Sequence, residues 1–137
     1  MDTVRVLLVE DNPADVLLIR VALSQAPIPV DLQVAKDGEQ ALKMLDSAEC
    51  EPRLIILDLN MPRVDGQMVL QQYQGRKKVP VVIFSSTQNK AEVEKALAAG
   101  AREYVQKPMG FEPYADAVRG IVSRWIGPPP LATSSAQ

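Results

Sequence analysis

With 137 residues, 15 basic against 17 acidic side chains and a formal net charge of −2, the chain can bury a core as one domain and lacks the positive field that nucleic acid or an anionic membrane would require. It contains no histidine and one cysteine, Cys50, which excludes Ser-His-Asp and Cys-His nucleophile systems, histidine as a phosphate carrier, and an internal disulfide. No apolar run approaches the roughly 20 residues of a membrane-spanning helix, and "MDTVRVLLVEDN" turns acidic before it reaches signal-peptide length. A cytoplasmic chain is expected, with no membrane or nucleic-acid partner, its chemistry resting on carboxylates, hydroxyls and lysine.

Along the chain, short runs rich in Val, Ile and Leu alternate with helical periodicity. "VRVLLVE" (4–10) predicts a strand, and "NPADVLLIRVALSQA" then predicts a helix with Asn12 as N-cap and Pro13 at the first helical position. Apolar residues at 14, 17, 18, 21 and 22 make one stripe for burial. Val16, Ile19 and Leu23 lie off it, leaving the helix apolar over more of its circumference than a surface helix needs. A strand at 30–35, a helix at 38–47, the strand "LIILD" (54–58), a helix at 66–74 and the strand "VPVVIFS" (79–85) follow. An Ala-rich helix at 89–98 leads to the strand "EYVQ" (103–106). The last helix, 111–126, has Glu112 and Pro113 in its first turn and a stripe of Tyr114, Ala117, Val118, Ile121, Val122 and Trp125. "GPPPLATSSAQ" (127–137) stops that helix and predicts a disordered tail after one domain over 1–126.

Alternating strands and helices imply an α/β fold, a parallel sheet with right-handed crossovers and helices on both faces. In such open sheets ligands bind beyond the carboxyl ends of the strands. Those ends carry Glu10 and Asp11, then Asp58, then Ser85, Ser86 and Thr87, and Lys107 follows the fifth run. Converging carboxylates repel one another unless a cation is present, and oxygen ligands without histidine or thiolate suit Mg²⁺ with room left for a phosphate oxygen. Asp58 is then a candidate nucleophile towards phosphorus, with the metal, Lys107 and a hydroxyl neutralising the equatorial oxygens of an acyl phosphate. Each residue alone has a blander role: Glu10 and Asp11 favour a helix start, Ser85 a turn, Lys107 a solvated surface. Their combination points to the cleft. Cys50 has no nearby activating partner and is expected to be inert.

The set "LLVEDN", "LIILDLNMPRVDG", "PVVIFSS" and "YVQKP" resembles the receiver domain of two-component response regulators, the CheY-like fold, over about residues 4–126. The resemblance implies a doubly wound, five-stranded (βα)5 flavodoxin-like sheet in the order 2-1-3-4-5. It implies Asp58 as phosphoacceptor, Glu10 and Asp11 as the acidic pair around Mg²⁺, and the backbone carbonyl of Asn60 as a further ligand. Ser85 becomes the switch hydroxyl, Lys107 the phosphoryl-binding lysine, Tyr104 the aromatic residue that turns inward on activation, and Pro108 a proline preceded by a cis peptide. Glu10 stands where many receivers have Asp. "EDNPADVLLIRVAL" with "DLNMPRVDG" is further similar to small stand-alone regulators paired with phytochrome-type, light-sensing histidine kinases.

The implied function is a switch that takes phosphate from a sensor histidine kinase and signals through protein contacts, the chain ending after the fifth helix without an output domain. It catalyses its own phosphorylation and dephosphorylation but is not a turnover enzyme. Two other classes are weighed. An aspartate-nucleophile phosphatase usually carries an acid two residues after the nucleophile, where this chain has Asn60. A phosphate-independent pseudo-receiver would not need Asp58, Lys107 and the acidic pair intact. Two surfaces are expected to act: exposed members of Val16, Ile19 and Leu23 against the kinase, and the 89–98, 103–106 and 111–126 face in a homodimer.

Overall fold

The computed structural model describes residues 3–47, 51–59, 69–70 and 79–126. Strands β1 (Val4–Val9), β2 (Val30–Ala35), β3 (Leu54–Leu57), β4 (Val81–Ser85) and β5 (Glu103–Gln106) form one parallel sheet in the order β2-β1-β3-β4-β5. Side chains on a strand alternate between faces. Along β1, Val6 and Leu8 therefore join one core and Leu7 and Val9 the other. The first core is closed by α1 (Pro13–Ser24) and the C-terminal helix Phe111–Trp125, the second by α2 (Gly38–Asp46) and the helix Lys90–Ala98. With both faces covered, every residue of β3 and β4 is buried, which explains their unbroken apolar runs.

Local chemistry fixes where the elements start and stop. Asn12 caps α1, its Oδ1 accepting from the Ala14 amide at 2.8 Å, and Pro13 opens the helix where no N–H is needed. Asp37 and Asn89 cap α2 and the Lys90–Ala98 helix in the same way. Gly110 precedes the C-terminal helix at φ +89°, a conformation in which a Cβ would be strained. At the helix's other end the Trp125 indole donates to Glu103 Oε1 at 2.8 Å, and Arg124 pairs with the same carboxylate, tying the helix to β5. Strands β1 and β3 stop at Val9 and Leu57, one residue earlier than their apolar runs suggest, so Glu10 and Asp58 are the first residues beyond the sheet.

Two expectations are corrected. The buried face of α1 is Ile19, Ala22 and Leu23, whereas Ala14, Leu17 and Val21 of the expected stripe are exposed, Leu17 to 62%. A helix apolar nearly all round fits two stripes, and packing on the sheet selects the one that holds Ile19, Ala22 and Leu23. No cis peptide bond occurs among the described residues, so the Lys107–Pro108 bond is trans, the isomer X–Pro bonds favour by roughly 0.5–1 kcal/mol. The Lys107 amide donates to the Ser85 carbonyl at 2.9 Å, so the β4–β5 ladder itself carries the chain to the lysine. Cys50, Asn60, the tail at 127–137 and all of the expected 66–74 helix except Val69 and Leu70 lie outside the described residues; those two are helical and buried.

Candidate functional site at the carboxyl edge of the sheet

Register gathers the polar residues. Val9 pairs with Leu57, Leu57 with Ile83, and Ser85 with Gln106. The residues that leave the strands next, Glu10, Asp58 and Lys107, consequently emerge along one edge beside Ser85. The Asp58 amide donates to the Val9 carbonyl at 3.1 Å, extending the ladder to the acid itself. Glu10, Asp58 and Ser85 are 1%, 5% and 0% exposed, while Asp11 faces solvent.

Oxygens of Glu10, Asp11 and Asp58 lie within 4.8 Å of one another. Two negative charges at that separation repel by about 3.5 kcal/mol or more at an effective dielectric near 20, so the cleft favours a cation. Lys107 supplies one: its Nζ stands 2.7 Å from Glu10 Oε1, 3.2 Å from Asp15 Oδ2 and 3.4 Å from Asp58 Oδ2. For Glu10, burial outweighs the Lys107 hydrogen bond and, with the Asp58 charge, pushes the carboxyl from 4.5 up to about 7. For Lys107 burial acts first to lower the pKa, but the hydrogen bond to Glu10 and the charges of Asp58, Glu10 and Asp15 together raise it. The ammonium therefore stays charged, and a proton on Glu10 relieves the excess negative charge. That excess, held by hard oxygen donors, fits a divalent cation such as Mg²⁺.

Ser85 ends β4 with its Oγ 3.4 Å from the Thr87 amide. Thr87 links outward, its hydroxyl donating to Glu92 in the first turn of the Lys90–Ala98 helix at 2.8 Å. Tyr104 is half-buried on β5, and its hydroxyl donates to the Thr87 carbonyl; burial raises its pKa. The structure thus brings Glu10, Asp11, Asp58, Ser85 and Lys107 to one edge and joins Tyr104 to the loop after Ser85, with Pro108 following the lysine. Sequence reading missed Asp15 and Tyr114, whose hydroxyl donates to Asp15 Oδ1 at 2.7 Å. The one signal for Asp15 is its place in the first turn of α1, directly after the strand end that carries Glu10 and Asp11.

The pattern described as "Response regulator receiver domain" matches residues 6–119. The chain belongs to the response regulator receiver family. Among relatives of this receiver, Response regulator Rcp1 of Synechocystis sp. is 33% identical over 129 residues, 88% of each chain. The crystal structure of the phosphorylated cyanobacterial phytochrome response regulator RcpA superposes with a TM-score of 0.85 at 30% identity, covering 96% of this receiver and all of that chain. The Mn²⁺-bound form of Rcp1 superposes with a TM-score of 0.81 at 30% identity, covering 93% and 97%. The receiver is also free of any helix, among the described residues, long and apolar enough to cross a membrane.

Proposed function

We propose that this receiver is a two-component signalling switch in which Asp58 accepts a phosphoryl group from the phosphohistidine of a sensor histidine kinase. The observation that carries this reading is the buried Asp58 carboxylate standing 3.4 Å from the Lys107 ammonium inside a carboxylate cluster. In the transfer an Asp58 oxygen forms the new P–O bond in line with the breaking P–N bond, and the kinase imidazole leaves and takes up a proton. Lys107 and the Ser85 hydroxyl bind the phosphoryl oxygens. Glu10, Asp11 and Asp58, with the Asn60 carbonyl that the family resemblance adds, would hold Mg²⁺, whose charge would offset that of the phosphoryl oxygens. The phosphoryl group ends on the chain itself, so the protein acts as a cytoplasmic switch and not as a turnover enzyme.

Similarity to the phytochrome response regulator RcpA supports a phytochrome-type kinase as donor. Ile19 and Leu23 are buried and unable to meet it; Leu17 and Val21 are the large apolar residues of α1 that are exposed, beside exposed Ala14 and half-buried Val16 and Leu18. Output runs through Ser85, Tyr104 and Pro108 to the face made by the Lys90–Ala98 helix, β5 and the C-terminal helix, where the phosphorylated form dimerises; equal sedimentation mass with and without a phosphoryl mimic would sink that part. The central test is intact mass after incubation with acetyl phosphate and Mg²⁺. One added phosphoryl group is expected, lost with a chelator and in Asp58→Asn. No adduct in protein shown separately to bind Mg²⁺ would instead favour a phosphate-independent interaction module.

A further inference from the structure

The cleft holds one carboxylate that stands apart from the acidic cluster. Asp15, in the first turn of α1, reaches Lys107 Nζ through Oδ2 at 3.2 Å but is not among the three acids whose oxygens converge within 4.8 Å. Its other oxygen accepts the hydrogen bond from Tyr114 at 2.7 Å. Tyr114 is 4% exposed, and its ring meets Phe84 edge to face with centroids 5.1 Å apart. A phenylalanine would fill that space without needing a partner, whereas a buried tyrosine hydroxyl must find one. The partner it finds is the acid that grips the lysine.

Lys107 thus has three anionic neighbours of two kinds. Glu10 and Asp58 belong to the cluster suited to a divalent cation, and a cation there draws their charge away from the ammonium. Asp15 remains. We infer that Asp15, oriented by Tyr114, is a positioning residue for Lys107: it anchors the ammonium beside Asp58 when metal engages Glu10 and Asp58. The inference deepens the proposed phosphoryl chemistry and rests on Lys107's part in it. The plainer alternative is that Asp15 and Tyr114 merely tie α1 to the C-terminal helix.

Proton-detected ¹⁵N NMR of lysine ammonium groups reads the anchor without phosphoryl chemistry. In metal-free wild type a slowly exchanging Lys107 signal is expected, and it persists at saturating Mg²⁺. In Asp15→Asn, and in Tyr114→Phe, which leaves the charge unchanged, that signal is lost when Mg²⁺ is added. Absence of the signal in metal-free wild type, its loss in wild type with Mg²⁺, or its survival in both variants overturns the inference. Labelling by acetyl phosphate at saturating donor and Mg²⁺ gives a second reading. Tyr114→Phe slows it about two- to tenfold, the span of one hydrogen bond, and Asp15→Asn slows it at least as much. Neither slows it further in a Lys107→Ala background. A simple helix tie predicts the same slowing with or without Lys107, and that result also overturns the inference. If wild type shows the NMR behaviour but takes up no phosphate, the switch reading fails while the anchor stands.

Discussion

Replacing Glu10 by Gln should remove a pH dependence of stability that the metal-free protein carries. The Glu10 carboxyl is 1% exposed and, mainly through burial, holds its proton up to about pH 7 against an ordinary 4.5. The folded state therefore binds this proton more tightly than the unfolded chain does. Its stabilising contribution is complete below pH 4.5, is lost as pH rises towards 7, and stays lost above. At about 1.4 kcal/mol per tenfold change in proton affinity, the loss is about 3 kcal/mol, a sizeable share of the roughly 5–15 kcal/mol that holds a domain folded. Lys107 does not confuse the measurement, since, against burial, the Glu10 hydrogen bond and its acidic neighbours raise its pKa further from the range assayed. The assay is urea unfolding with a chelator at several pH values between 4.5 and 8. Subtracting the Glu10→Gln profile from wild type isolates the carboxylate. Saturating Mg²⁺ should restore wild-type stability at pH 8, because the cation replaces the proton. A difference profile that is flat, or that rises with pH, would refute the reasoning that burial outweighs the Lys107 contact.

The same proton competes with metal, so the apparent Mg²⁺ dissociation constant should rise by up to about tenfold per pH unit below 7; calorimetric titrations that are flat from pH 5.5 to 7 would contradict this. Leu17→Asp and Val21→Asp alter exposed positions of α1 and should weaken transfer from the partner kinase while leaving acetyl phosphate labelling unchanged; equal loss in both assays would mean general damage. Ser86 is exposed beside the buried Ser85, and as a larger residue than Gly it is expected to slow the entry of water to a phosphoryl group on Asp58. Ser86→Gly should shorten the acyl phosphate lifetime, as followed by the decay of the phosphorylated mass, and an unchanged decay would remove Ser86 from the hydrolysis path.

What could be read from the chain depended on the range over which the signal is carried. Strands β3 and β4 were legible because burial on both faces removes polar residues from a local run. Asn12 and Pro13 marked the start of α1 because capping is settled within three residues. The face of α1 was misread, since Leu17 and Ile19 are equally apolar and only packing on the sheet distinguishes them. Glu10, Asp58, Ser85 and Lys107 could be placed together because a parallel sheet puts every strand end on one edge. Asp15 and Tyr114 escaped because they are joined across 99 positions, and a tyrosine within an apolar stripe gives no hint of where its hydroxyl points. The trans bond before Pro108 was likewise hidden, because a Lys-Pro dipeptide read alone does not reveal which isomer the fold adopts.

The chain has one tryptophan, and its indole N–H is bonded to Glu103, the neighbour of Tyr104 on β5. Indole emission shifts when that bond is exchanged for water or the ring is moved against its surroundings. If the proposed phosphorylation rearranges Tyr104 and displaces β5, an optical reporter is already in place, with no competing tryptophan to dilute it. The proposed switch could then be timed in a stopped-flow fluorimeter on the unlabelled, unmutated protein.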